Sequence, residues 1–234
     1  MRTDKGMVFE RTIRPDVLEV AYRIAGSDTP FEDQRQLLAV ALRDHVTEQE
    51  ANNKTKKMMT RVWVNPPEEA TNVIHWAVQH PEAFPDRYAM HLGAMLATYP
   101  FVDTVLATLG RAFALEGSIT GVELRRKVVG QWGERTSVSL GATKTAGTLR
   151  HLRIISGGGN AGPYRPAAKL DVSSMGAAWL VHCLLCSRGA GSINADDVDS
   201  APELFWTVPL TVDHTYPMLE LHREGMNRRV WAIR

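Results

Sequence analysis

From Thr120 to Asp171 the order of apolar and polar positions predicts two helices and a hairpin. In TGVELRRKVVGQW, Val122, Leu124, Val128, Val129 and Trp132 recur on one side of a 3.6-residue repeat. Gly133 breaks that pattern. A second helix, ATKTAGTLRHL, begins just after Gly141, with Ala142, Ala146 and Leu149 facing inward and Lys144, Thr145, Thr148, Arg150 and His151 toward the other side. IIS and YRPAAKLDV follow, joined by GGGNAGP, and read as two strands with a flexible glycine tip. A helix pair followed by a hairpin is the sequence form of a winged helix-turn-helix. Its second helix, carrying short polar and basic side chains, suits the major groove, and a basic ribbon suits the phosphates beside it. The same layout also serves as scaffold in enzymes and protein-protein modules.

Ahead of this segment the pattern is helical almost throughout, with prolines at the edges. Pro15 opens PDVLEVAYRIA, which stops at Gly26, and FEDQRQLLAVALRDHV follows Thr29-Pro30 with Leu37, Leu38, Ala41 and Leu42 on its apolar side. Thr47 and Glu50 have the spacing of a capping box that starts a third helix toward Val64. Pro66-Pro67, Pro85 and Pro100 divide the remainder into three more helices. After the hairpin, Ser173 or Ser174 caps MGAAWLVHCLLCS, apolar nearly all round and so expected to be buried. PELFWTVPLTV and NRRVWAIR read as strands, the latter pairing near TYPMLELHREG. The expected fold is mainly α, with a helical bundle over 1–117 and, from the Gly117-Ser118 joint, a winged helix-turn-helix domain with a small β element and a C-terminal extension over 118–234.

The chain has 234 residues, 44% of them hydrophobic and 23% charged, which fits a folded protein. Its net charge of +1 gives no bulk support for nucleic-acid binding, so such a surface must come from local segregation. NNKTKKMMTR, over 52–61, sets Lys54, Lys57 and Arg61 at i, i+3 and i+7 with no acid after Glu50. A solvated helix face gives the same stripe; here Asn and Thr donors beside it also suit phosphate oxygens. Arg125 and Arg126 follow on the first helix of the winged segment, then Lys144, Arg150 and His151, and Arg165 on the wing.

Chemistry-bearing motifs are absent from the sequence. There is no GxxxxGK[ST], HExxH or GxSxG, and Gly157-Gly158-Gly159 lacks both Rossmann spacing and a following helix. Cys183 and Cys186 form a lone CxxC without partners for zinc and read as small core residues. The expectation is a protein with no catalytic residues, no metal and no cofactor. MRTDKGMVFERTIRP lacks an apolar leader and no apolar run approaches bilayer length, so a cytoplasmic location is expected.

Three passages, NNKTKKMMTRVWV, TNVIHWAVQH with YPFVDTVLATLGRAF, and ELRRKVVGQWG leading through TKTAGTLRHLRIISGG, resemble in layout the small BrxA-like component of BREX bacteriophage-exclusion systems over roughly residues 30–160. The resemblance implies a small helical, non-enzymatic DNA-binding protein of a bacterial phage-defence system, with modification and restriction left to partner proteins. It carries over no individual functional residue. The expected partner is double-stranded DNA, contacted by Lys54, Lys57, Arg61, Arg125, Arg126, Lys144, Thr145, Thr148, Arg150, His151 and Arg165. A winged-helix transcription regulator is the alternative, as is a structural adaptor that docks a larger enzyme through the 174–186 helix and the 202–210 segment.

Overall fold

A computed structural model describes residues 7–224 and 228–234. The fold is mainly helical with a small sheet. Proline punctuation explains most helix starts: α1 (Pro15–Ala25) begins on Pro15, α4 (Glu68–Gln79) follows Pro67 and α6 (Pro100–Glu116) begins on Pro100. α5 (Arg87–Thr98) is capped by the Asp86 carboxylate, which accepts from the Tyr88 N–H.

α2 (Phe31–Ala41) buries Leu38, and Leu42 just beyond it, but leaves Leu37 and Val40 46% and 59% exposed, so Leu37 does not join the apolar side expected of it. α3 (Gln49–Met59) starts without the Thr47–Glu50 capping box; Glu50 instead ion-pairs with Lys54. The chain then widens into a five-residue turn, Thr60–Val64, where the Asn65 N–H reaches the Thr60 carbonyl.

α7 (Gly121–Trp132) and α8 (Thr136–His151) pack on each other and on α6. A capping box forms at the start of α7, between Thr120 and Glu123. At its other end the Trp132 ring meets Phe101 edge-on at 5.0 Å and its Nε1–H donates to Thr104 Oγ1. Val122 stands 66% exposed, outside the apolar face proposed for it. The hairpin β1 (Ile155–Ser156) and β2 (Arg165–Pro166) is antiparallel, and Tyr164 exchanges both backbone hydrogen bonds with Ile119.

α9 (Ser174–Arg188), capped by Ser173, is buried from Gly176 to Ser187, and Cys183 and Cys186 are buried free thiols in it. Burial removes α9 as the docking surface of an adaptor. PELFWTVPLTV is not a strand: Pro202–Leu204 forms a single 3₁₀ turn, since Trp206 must turn inward to donate its Nε1–H to the Glu203 carbonyl. The small sheet is instead β3 (Ser192–Asn194), β5 (Arg228–Ile233) and β4 (Leu219–Glu224), antiparallel in that spatial order, with Trp231 of β5 opposite both Ile193 and Leu221. A four-residue helix, α10 (Ala195–Val198), follows β3. Residues on both sides of Gly117 share one apolar core. Among the described residues no single helix is long and apolar enough to cross a membrane.

One partly buried carboxyl group imposes a pH dependence. Asp103, in the first turn of α6, accepts from Ser187 Oγ and sits near Glu203, which is itself held by Arg188 at 2.8 Å. Burial, aided by the Glu203 charge, pushes the Asp103 carboxyl up from 3.8 to about 6. An acid whose folded value is raised stabilises fully below its unfolded value and loses that stability as pH rises through the folded one. Asp103→Asn, which keeps an acceptor for Ser187, is expected to gain stability relative to the parent by about 1–2 kcal/mol between pH 4.5 and 7.5, after discounting for residual solvent contact. Thermal melts at the two pH values read this directly; a pH-independent difference contradicts it.

Candidate nucleic-acid interface

The N-terminal segment Met7–Arg14 pairs with no strand among the described residues and runs as a strap between α8 and α3. Its apolar residues hold it down: Phe9 is fully buried and meets Tyr99 edge-on at 5.4 Å, and Ile13 is 2% exposed. Val8 presses on Gly141 of α8, where any side chain would collide, since a Cβ there would lie 2.1 Å from the Val8 Cγ1. Further along, Thr12 packs against Gly147, and the Ile13 N–H donates to Thr148 Oγ1 at 2.8 Å. The other edge of the strap adjoins α3: Glu10 and Lys57 line one small cavity, and Arg11, Ala51 and Thr55 another. Arg11 stands close enough to α3 for its charge to be felt at Lys54 and Glu50.

This strap corrects the expected facing of α8. Ala142, Ala146 and Leu149 are buried against the helical core as expected, but Thr145 and Thr148 are also buried, at 1% and 0% exposure. Thr148 is occupied by its bond from Ile13 and by donating to the Lys144 carbonyl; Thr145 Oγ1 lies buried without a hydrogen-bond partner among the described residues. Neither hydroxyl reaches a ligand. The side chains of α8 that remain exposed include Leu140, Thr143, Lys144, Arg150 and His151, with Thr12 of the strap seated on Gly147 between them. No carboxylate occurs anywhere along the sixteen residues of α8.

Arg61 is likewise withdrawn. Its Nε–H donates to the Thr98 carbonyl at 3.0 Å and its guanidinium lies 5.4 Å from the centre of the Tyr99 ring, so it pins the wide turn after α3 onto the end of α5. Lys54 is exposed but paired with Glu50, and Lys57 is exposed. The expected stripe of three thus reduces to two outward cations. On α7, Arg126 is exposed, whereas Arg125 is half-buried beside Gly121.

The hairpin places Arg165 outward and Tyr164 inward, as strand alternation requires. Its tip is an ordered turn. Gly157, Gly158, Gly159 and Gly162 all take positive φ, the Gly158 N–H donates to the Gly162 carbonyl, and the Tyr164 ring fills the space where a Gly158 side chain would be. Tyr164 is bonded to Ile119 while β2 is bonded to β1, so Tyr164–Pro166 lies between the other two segments.

No family model, curated protein or solved structure matches the chain.

What the fold brings together is a set that sequence spacing had kept apart. Arg11 on the strap stands near Lys54 on α3, the next strap residue, Thr12, donates to the Lys144 carbonyl of α8, and Arg150 and His151 lie about two turns further along that helix. Glu10 and Glu50 stand at the α3 side and moderate it. Arg11 was not identifiable from the sequence: a lone Arg in an extended segment has no periodicity, and the only hint is the pair of apolar anchors, Phe9 and Ile13, on either side of it. Among the described residues no three His, Cys, Asp or Glu side chains are grouped to hold a metal ion.

Proposed function

We propose that the chain is a non-enzymatic DNA-binding protein in which α6, Ile119, α7, α8 and the β1–β2 hairpin act as a winged helix-turn-helix. The observation that carries this reading is the acid-free solvent face of α8, with Lys144, Arg150 and His151 outward. A helix of this kind fits the major groove, where Lys and Arg reach guanine edges and phosphates and exposed Leu140 suits a thymine methyl. Arg165 on the hairpin then lies toward an adjoining phosphate, and Arg11, Lys54 and Lys57 extend the track of backbone contacts past the strap. The BREX resemblance gives this activity a setting as an accessory component of phage defence, with catalysis supplied by other proteins.

The test is a fluorescence-anisotropy titration of random duplex DNA. With about six phosphate contacts, from Lys144, Arg150, Arg165, Arg11, Lys54 and Lys57, affinity is expected to fall about 2,000-fold between 50 and 200 mM NaCl, through release of condensed counterions. Absence of binding at 50 mM overturns the proposal. Duplex RNA is expected to bind more weakly, because its deep major groove does not admit a helix.

A further inference from the structure

Three segments, α6 among them, line a cleft of about 790 Å³. α6 supplies Arg111, Phe113 and Leu115; the segment after β2 supplies Lys169; and the turn at 199–205 supplies Pro202 and Phe205. The walls are fixed to one another. Phe113 and Phe205 meet edge-on at 5.1 Å, and the Pro202 carbonyl lies against Gly110. Leu170 donates its N–H to the Trp206 carbonyl and accepts from the Val208 N–H, tying the second wall to the third. The volume is that of an ordinary small-molecule site, and it exists without rearrangement.

The lining has an apolar body and a charged rim. Leu115 is 82% exposed, a costly placement for an unpartnered leucine of this size. Among the described residues neither Arg111 nor Lys169 makes a hydrogen bond or ion pair. One carboxylate shares the cleft, Asp199, and it is engaged by the Leu210 N–H. Two cations against one acid leave the rim positive, so an anionic head group is favoured and a cationic one is not.

We propose that this cleft binds a small organic acid with an apolar body, its carboxylate at Arg111 and Lys169 and its hydrocarbon or aromatic portion against Phe113, Leu115 and Phe205. The site is independent of DNA binding, and its failure and the failure of the DNA-binding reading are separate results.

The probe is 8-anilinonaphthalene-1-sulfonate, an apolar ring system with one fixed anion, titrated into the full chain by fluorescence. Saturable enhancement at one site is expected, with the dissociation constant rising at least about 5-fold in Arg111→Gln and in Lys169→Gln, since each removes one charged hydrogen-bond partner of the anion. Decanoate is expected to displace the probe and decanol to do so at least about 10-fold less well. Leu115→Ser, at an exposed position, weakens both the probe and decanoate while leaving the thermal midpoint unchanged. Enhancement that does not saturate, equal competition by decanol, or dissociation constants unaffected by both charge substitutions would overturn the proposal.

Discussion

The variant Lys144→Glu with Arg150→Glu is expected to bind duplex DNA at least about 100-fold more weakly than the parent at 100 mM salt, a loss of about 2.7 kcal/mol, with its melting temperature unchanged. Both side chains are exposed, and neither has an ion-pair partner among the described residues, so the fold does not depend on them. Each parent cation releases about one counterion on meeting a phosphate, and each introduced carboxylate adds repulsion in the same place. Lys144→Gln with Arg150→Gln separates the two contributions: the slope of log affinity against log salt should flatten by about 2, the loss of two contacts. The contrasting control is Thr148→Val. It leaves the buried Ile13 N–H without its acceptor and so costs about 1–3 kcal/mol of stability, but it removes no group that faces solvent. Unchanged DNA affinity in the double Glu variant would remove α8 from the interface.

That contrast between Lys144 and Thr148, four residues apart on one helix, marks where sequence reading stops. Helix starts were legible because proline acts locally: Pro15 and Pro100 each occupy a first helical position, and Pro67 directly precedes one. The burial of α9 was legible too, because a helix apolar on every side has no solvent face to offer. The pairing of β4 with β5 followed from two apolar-polar runs separated by a short connection. What periodicity does not carry is the effect of a non-local partner. Thr148 lies on a polar-looking flank of α8 that a strap from more than 130 residues away covers, and Thr145 on the same helix is buried as well. Arg61 reads as one more cation in a stripe until the wide turn at 60–64 rotates it onto Tyr99. Trp206, in a run with every strand-forming feature, turns inward because its ring and N–H find better partners in the core than across a sheet.

The strap makes the second large prediction. Phe9→Ala should lower stability by about 3–5 kcal/mol, since a fully buried phenyl ring and its edge contact with Tyr99 are lost and the space cannot close around an extended segment. For a chain of this length that corresponds to a fall in melting temperature of roughly 10 °C. DNA binding, measured well below the new midpoint, should change in a specific way. Arg11 is two residues from Phe9 and owes its position beside Lys54 to that anchor, so releasing the anchor costs one phosphate contact and flattens the salt dependence by about 0.9, whereas Lys144 and Arg150 stay in place on α8. Arg11→Gln should reproduce the change in salt dependence with little change in melting temperature, because the half-buried Arg11 side chain makes no hydrogen bond or ion pair among the described residues. Together the two variants distinguish a strap that only seals α8 from one that also joins the α3 and α8 cations. If Phe9→Ala lowers the midpoint while both variants keep the parental salt slope, the strap is a seal alone, and the nucleic-acid track ends at the edge of α8.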